Sequence, residues 1–224
     1  MRKIRRTRAT VAAALITLAL SVAACSSNPP ELAPPPSPPA EPSSANAADG
    51  VTTPAQAFGP ACQQLPQNGV PGSAVKMASM PVAAAAKTNP LLSQLDLAVQ
   101  KAGLVDTLNQ AKSATVFAPY DDAFANLKQQ LGPDRFNALL ADKNSLADIL
   151  KYHVVVKRYD RAALTQARSV TTLQGGSLMI KDDGDTMDIT DNADQTAHVL
   201  CGNLPTANAT VFLIDKVLLF KRLG

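Results

Sequence analysis

The hydrophobic positions along the chain change their spacing from helical to strand-like near residue 153. In residues 91–103, apolar side chains recur every three or four positions, and Gly103 follows them as a helix stop. Comparable signals predict four more helices, at 104–111, 120–127, 132–142 and 144–154. The first part of the folded region is therefore expected to be mainly helical.

Strands are predicted where β-branched and aromatic residues cluster. Residues 114–119, ATVFAP, form one such run between two predicted helices. After His153, strands are predicted at 154–156, 169–174, 177–181, 186–190, 198–203 and 209–220, with a hairpin turn at Gly184. Helices followed by strands indicate an α+β domain, with the helices on one side of a mostly antiparallel sheet.

The first 24 residues have the pattern of a signal peptide. Five basic residues lie in the first eight positions, and an apolar run of 14 residues extends from Val11 to Ala24. This run is short for a bilayer span, which takes about 20 residues, and it ends in small residues as cleaved signal peptides do. The alternative is a buried core helix, but no domain-like sequence precedes the run. Residues 1–24 therefore predict export.

Cys25 directly follows this leader, and residues 22–25, VAAC, resemble the lipobox of bacterial lipoproteins. The resemblance implies diacylglycerol on the Cys25 sulfur, cleavage before Cys25 and acylation of the new amino terminus. Each buried methylene contributes about 0.8 kcal/mol, so several acyl chains hold a protein firmly to a membrane. We therefore expect a lipid-anchored protein on the outer cell surface, with shedding as a further route. Ordinary secretion with an unmodified Cys25 is the alternative.

Residues 25–60 are predicted to be a disordered, proline-rich linker. Nine of the 17 prolines lie between residues 26 and 58, and such a composition cannot bury enough apolar surface to fold. Prolines favour an extended chain of about 3.1 Å per residue, which would space a domain away from the membrane. Thr52 and Thr53 lie beside Pro and Ala and are candidates for O-linked sugars, or else plain linker residues.

Two cysteines remain after Cys25, namely Cys62 and Cys201. In an exported chain, an even number of cysteines favours a disulfide between them, and two free thiols are the alternative. The sequence contains no CxxC motif, so neither redox catalysis nor a zinc ribbon is indicated. We expect the disulfide to join the start of the domain, near residue 61, to its last third.

The charge balance argues against nucleic-acid binding. The whole chain carries 21 basic and 18 acidic residues, but five of the basic ones lie in the predicted leader, so the mature net charge is −2. A weakly acidic chain without tryptophan lacks both the basic surface and the aromatic platforms that bind nucleic acids. No cofactor or metal site is expected: the acidic residues 182–191 lack the EF-hand spacing and its closing Glu.

Three segments together resemble the fasciclin (FAS1) family. Residues 115–127, TVFAPYDDAFANL, resemble its first signature box; residues 146–155, LADILKYHVV, contain its Tyr-His pair; residues 208–219, NATVFLIDKVLL, resemble its closing box. Their order and spacing agree with the family over about residues 73–220. The layout of lipobox, spacer and one domain is similar to mycobacterial surface lipoprotein antigens of this family.

The resemblance implies one FAS1 domain over residues 61–224, acting as a monomeric adhesion or interaction module rather than an enzyme. Its expected partner is a protein or matrix component of a host cell or envelope. In relatives, the region that matches Tyr152 and His153 is implicated in adhesion. Independently, His153 falls on the apolar stripe of helix 144–154, which predicts a buried, neutral hydrogen-bonding strut.

Two other functions remain open from the sequence. A hydrolase would need His153 or His198 as a base, yet the sequence has no GxSxG motif and neither histidine lies beside a recognisable nucleophile. An apolar groove between helices and sheet could carry a lipid or another small apolar ligand. A connected apolar cavity of several hundred Å³ would favour this function, whereas a closed core with exposed apolar side chains would favour protein contact.

Overall fold

The computed structural model describes residues 49–222. The predicted signal peptide (1–24), Cys25 and the linker up to residue 48 lie outside the described residues. No helix in the described part of the chain has both the length and the apolar character needed to cross a bilayer.

The helices begin and end where the local sequence favours it. Pro133 occupies the first turn of α6, and Gly103 ends α3 in the left-handed conformation at φ 71°. Within residues 49–222 the helices are α1 (Ala74–Met77), α2 (Val82–Thr88), α3 (Ser93–Ala102), α4 (Val105–Gln110), α5 (Asp121–Leu131), α6 (Pro133–Ala141), α7 (Lys143–Tyr152) and α8 (Arg161–Ala167). Short 3₁₀ helices lie at Pro54–Gln56, Pro60–Gln64 and Pro90–Leu92.

Seven strands of the described region form one sheet in the order β2-β1-β7-β6-β5-β4-β3. They are β1 (Ala114–Pro119), β2 (Val154–Val155), β3 (Ser169–Thr171), β4 (Ser177–Asp182), β5 (Met187–Thr190), β6 (Thr196–Pro205) and β7 (Ala209–Ile214). All neighbours are antiparallel except β1 and β7, which run parallel and pair Ala114 with Ala209. The predicted α+β class and the mostly antiparallel sheet are confirmed.

Two hydrophobic cores lie on opposite faces of this sheet. One core packs α1–α7 against residues of β1, β6 and β7 such as Val116, Leu204 and Val211. The other is built around Phe117 and Phe212, whose ring centroids are 5.8 Å apart. Because successive side chains of a strand point to opposite faces, β1 and β7 contribute to both cores and are buried throughout.

The largest differences from the prediction are at three helices and two strands, one of which, predicted at 169–174, ends at Thr171. The short helices α1, α2 and α8 were not predicted, because four to seven residues hold too few apolar positions to show a helical period. The strand predicted at 209–220 ends at Ile214. Beyond it, the backbone N–H groups of Leu218 and Leu219 donate to side chains rather than to a neighbouring strand.

The predicted linker is wrong for residues 49–60, which pack on the domain. The Gly50 carbonyl accepts a hydrogen bond from Thr210 Oγ1 at 2.7 Å, and a Cβ at Gly50 would lie 2.3 Å from the Arg158 carbonyl oxygen. Phe58 pairs with Gly202 through two backbone hydrogen bonds. Proline content suggested a spacer, but these prolines start 3₁₀ turns that the sheet holds in place.

Candidate functional site

The three segments that carry the sequence resemblance meet at His153. The His153 carbonyl accepts from Phe117 N–H of β1 at 2.9 Å. Its ring nitrogen Nε2 accepts from Leu218 N–H, in the segment after β7, also at 2.9 Å. His153 thereby joins the end of α7 to the first box through its backbone and to the closing box through its ring.

The ring of His153 is neutral, and both of its nitrogen atoms form hydrogen bonds. Since Nε2 accepts a hydrogen bond, Nδ1 carries the proton and donates it to the Ile149 carbonyl at 2.8 Å. The side chain is only 2% exposed, and this burial lowers the pKa of His153 from 6.5 to about 4. The ring is therefore a structural strut, and this arrangement does not support a hydrolase that uses His153 as a base.

Tyr152 lies beside His153 and is fully buried. Its hydroxyl donates to the Ser177 carbonyl at 2.8 Å and accepts from Asn192 N–H at 3.0 Å. Burial raises the pKa of Tyr152 above its ordinary value of 10. Tyr152 therefore ties α7 to the start of β4 and to the loop after β5.

A third residue, Asp191, completes this arrangement and was missed from the sequence. Its Oδ2 accepts from Leu219 N–H at 2.8 Å, and its Oδ1 accepts from the N–H groups of Ala193 and Gln195, both at 2.9 Å. The sequence signal was the polar run DNAD, which resembles any loop. We call Tyr152, His153 and Asp191 the Tyr-His cluster. It holds the closing segment on the domain, and its burial prevents Tyr152 and His153 from contacting a partner directly.

Helix α7 positions the cluster through its buried apolar face and its amino-terminal cap. Leu146, Ile149 and Leu150 form its apolar face and are buried under the helical layer. Asp142 caps the helix by accepting from the N–H groups of Asn144 and Ser145. The hydrogen bond from Ser145 Oγ lowers the pKa of the Asp142 carboxyl, which favours the charged form of the cap.

The structure joins Cys62 and Cys201 in a disulfide across a sequence separation of 139 residues. The bond ties the 3₁₀ helix at Pro60–Gln64 to the middle of β6. Cys201 is fully buried. The disulfide and the Phe58–Gly202 pairing therefore hold the same part of the amino-terminal segment against the sheet.

The two candidate glycosylation threonines differ in accessibility. Thr52 is 5% exposed, and its Oγ1 is buried without a hydrogen-bond partner among the described residues, so it is not available for a sugar. Thr53 is exposed and donates from Oγ1 to Gln56 Oε1 at 3.1 Å. O-glycosylation therefore stays a prediction for Thr53 alone.

Asn208, which begins an N-x-T sequon, is a structural residue. Its Nδ2 donates to the carbonyls of Leu108, Asn109 and Ala111 near the end of α4, at 2.8, 3.3 and 2.9 Å. Its Oδ1 accepts from Val82 N–H at the start of α2. The amide therefore links two helix ends to β7, where its nitrogen is not available for modification.

The spaces between helices and sheet are too small for an acyl chain. The cavities that border Val82, Leu95 and Val116 each hold about 30 Å³, and one beside Phe136 holds about 10 Å³. Sites for small ligands usually measure about 300–1,000 Å³, whereas these have room for no more than about two water molecules. The core is closed, and the lipid-carrier alternative gains no support from it.

A larger depression beside the disulfide is an open groove and not an enclosed cavity. It measures about 740 Å³ and mixes apolar residues such as Pro54 and Leu65 with the amides of Gln63, Gln67 and Asn68. Because it opens to solvent, it does not enclose a hydrocarbon chain.

Comparisons with known proteins place these features in context. The fasciclin domain family matches residues 90–220. The immunogenic protein MPB70 of Mycobacterium bovis is 38% identical over 154 residues, covering 66% of this chain and 74% of the relative. The cell surface glycolipoprotein MPB83 of the same species is 37% identical over 154 residues, covering 66% of this chain and 64% of the relative.

A solved structure shares the fold. It is a FAS1 domain pair from the insect cell adhesion molecule Fasciclin I, with a TM-score of 0.54 and 18% sequence identity. The match covers 62% of this chain and 51% of the insect chain, so this chain spans about half of that structure.

Proposed function

Because the chain belongs to the fasciclin family, we propose that it is a cell-surface adhesion module, anchored by lipid on Cys25 and binding a protein or matrix partner outside the cytoplasm. Its action is non-covalent recognition and not catalysis. Two of its relatives, an immunogenic protein and a cell surface glycolipoprotein, support the location. The structural neighbour, a cell adhesion molecule, supports the role.

One observation favours protein contact over lipid carriage: the core is closed, while large apolar side chains lie on the surface. Val156 is 67% exposed just after β2, and Met179 is 57% exposed on the outer face of β4. Leu173, also exposed, lies close to the edge of β2, because its N–H donates to the Val154 carbonyl. Exposed apolar residues in an otherwise well-buried domain are candidate anchors for a partner.

The Tyr-His cluster acts on adhesion indirectly in this proposal. His153 precedes β2, so the ring that binds Leu218 also fixes where Val154, Val155 and then Val156 leave the helix. Loss of the ring would disturb the contact surface and the fold together. The family's association of this region with adhesion then reflects positioning of the surface by two buried side chains.

The contact surface is tested by matched substitutions of exposed apolar residues. Val156→Asp and Met179→Asp are compared with Leu97→Asp, an exposed apolar residue on α3, in cell-binding and pull-down assays on the purified chain. We expect one or both of the first two to weaken binding about tenfold or more, with melting temperatures unchanged. His153→Ala should reduce binding and melting temperature together.

Two results would contradict this part of the proposal. The first is a well-folded chain that binds no cell, matrix or envelope protein. The second is binding that neither Val156→Asp nor Met179→Asp affects.

The anchor is tested separately by mass spectrometry of native material. We expect the chain to begin at Cys25 and to carry a diacylglycerol thioether and an amide-linked acyl chain. Cys25→Ser should release the protein from the membrane fraction into the medium. Native protein that retains Met1 and an unmodified Cys25 would contradict lipid anchoring while leaving the adhesion proposal intact.

A further inference from the structure

The loop between the 3₁₀ helix at Pro60–Gln64 and α1 contains the one Asn-Gly dipeptide of the sequence, formed by Asn68 and Gly69. Both residues are exposed. They form the centre of a turn, which is closed by a hydrogen bond from Val70 N–H to the Gln67 carbonyl at 3.1 Å. Gly69 lies in the left-handed region at φ 92°, which glycine adopts freely and which makes Asn-Gly a common turn sequence.

The backbone nitrogen of Gly69 is free to react with the side chain that precedes it. Its N–H donates to no backbone carbonyl within residues 49–222, and a Cβ built on Gly69 would meet no atom within 4 Å. The missing Cβ leaves the nitrogen open to the amide carbon Cγ of Asn68 and lets the backbone rotate. The hydrogen bond that closes the turn joins two exposed residues, so water replaces it at little cost when the turn rearranges.

We propose that Asn68 is a site of spontaneous deamidation through a succinimide, since asparagine is a chemically labile residue. The Gly69 nitrogen loses its proton to hydroxide and attacks Asn68 Cγ. The new C–N bond forms, the Cγ–Nδ2 bond breaks, and the amide nitrogen leaves as ammonia. Water then opens the ring, which gives aspartate when it adds at Cγ and isoaspartate when it adds at the main-chain carbonyl. One water is consumed and one ammonia is released, and no oxidant or reductant takes part.

Two other asparagines show how the fold or the sequence prevents this reaction. Asn144 is also exposed, but it lies in the first turn of α7, where the N–H of Ser145 donates to Asp142 Oδ1 at 3.3 Å. A nitrogen held in a helix with its N–H engaged does not reach the preceding side chain. Asn89 is followed by proline, which has no N–H to lose. Asn68 combines an exposed turn with a following glycine, and it is therefore expected to react first.

The modification changes the surface beside the disulfide without unfolding the domain. Asn68 and Gln67 border the open groove that Cys62 also lines, and the new carboxylate there is charged at neutral pH. Isoaspartate also adds one methylene to the main chain of the turn between Gln67 and Val70. The turn is exposed, so neither change disturbs the core. This site goes beyond the proposed function, because it needs neither an adhesion partner nor lipid on Cys25.

The test incubates the purified, disulfide-bonded chain at pH 8 and 37 °C in ¹⁸O-labelled water. Pepsin digestion in unlabelled acidic buffer follows, so that only deamidation during the incubation carries the label. Mass spectrometry quantifies the conversion of each asparagine and separates aspartate from isoaspartate by fragmentation. Asn144 in the same molecules is the matched internal control. Asn68→Gln keeps the amide but lengthens the side chain by one methylene, so the Gly69 nitrogen would have to close a larger ring.

We expect Asn68 to deamidate at least about tenfold faster than Asn144, with ¹⁸O in the product and with both isomers present. The rate should rise from pH 6 to pH 8, because the attacking nitrogen must lose its proton. Asn68→Gln should show no conversion at residue 68 over the same time and should keep the melting temperature of the unmodified chain. Unfolding in guanidinium chloride should accelerate the reaction at Asn144 far more than at Asn68, because the fold restrains only the former.

Three results would overturn the proposal. The first is that Asn68 deamidates no faster than Asn144 in the folded chain. The second is a product that contains aspartate alone, which would indicate direct hydrolysis of the amide without a succinimide. The third is a reaction at Asn68 that is about tenfold or more faster in guanidinium chloride than in the folded chain, which would mean that the turn protects the residue. None of these results depends on cell adhesion or on lipid at Cys25.

Discussion

Mild acid should destabilise this domain through one buried histidine. His153 is neutral in the fold, where its ring donates to the Ile149 carbonyl and accepts from Leu218 N–H. Protonation would place a charge in the core and remove the acceptor that Leu218 needs. In the unfolded chain the same ring takes up its proton freely, so acid favours the unfolded state.

The size of the effect follows from the two pKa values. Burial lowers the pKa of His153 from 6.5 to about 4, and each pKa unit corresponds to about 1.4 kcal/mol. The depressed value means that the unfolded state binds more protons between these limits, so the free energy of unfolding falls as the pH falls. The free energy of unfolding falls by about 3 kcal/mol between pH 6.5 and 4, and it does not change through His153 well above pH 6.5.

Urea denaturation of the disulfide-bonded chain from pH 8 to 4.5 measures this loss. His153→Gln is expected to be less stable at pH 8, since it cannot replace both hydrogen bonds in the same geometry, and to lose most of the slope below pH 6.5. The chain offers a matched control in its other histidine, His198, whose side chain is over half exposed beside Asp188. His198→Gln should keep the full slope.

A free energy of unfolding that stays constant from pH 7 to 4.5 would contradict this prediction. An unchanged pH dependence of that free energy in His153→Gln would also contradict it, because the proton uptake would then belong to another group. NMR titration of the His153 ring provides a direct check, with protonation expected only near pH 4.

Three further changes test the packing described above. Asn208→Ala removes three donated hydrogen bonds and the oxygen that accepts from Val82 N–H. The free energy of unfolding in urea should therefore fall by about 2–4 kcal/mol. An unchanged value would mean that water replaces the amide. Phe58→Ala removes a ring that contacts Phe212 and Arg161 and should lower the free energy of unfolding by about 3 kcal/mol. No effect would mean that residues 49–60 behave as a linker and do not stabilise the domain. Joint replacement of Cys62 and Cys201 by serine should cost up to about 5 kcal/mol by chain entropy, and calorimetry that finds the same melting temperature with and without the disulfide would rule this out.

Local sequence was enough to predict the elements that bury long apolar runs. The strand at 114–119 was predicted with the bounds it has, because ATVFAP is buried on both faces and needs no alternation to be recognised. Helix α7 was predicted from its apolar stripe, and the same stripe placed His153 in the core as a strut. The three motifs also determined the family, since they lie in order along the chain.

Some features depended on contacts between residues far apart in sequence. Asp191 looked like a loop residue, yet it holds Leu219 from 28 positions away. Residues 49–60 were predicted to belong to a spacer, yet Phe58 pairs with Gly202 of the sheet.

Periodicity along the sequence was enough to place the longer helices and most of the strands, because it records which side chains face the core. The tertiary structure alone decided which polar atoms find partners. Asn208 is satisfied by α4 and α2, and Asp191 is satisfied in part by Leu219. A hydrogen bond between distant segments leaves no local pattern, so it becomes visible only when the chain is folded.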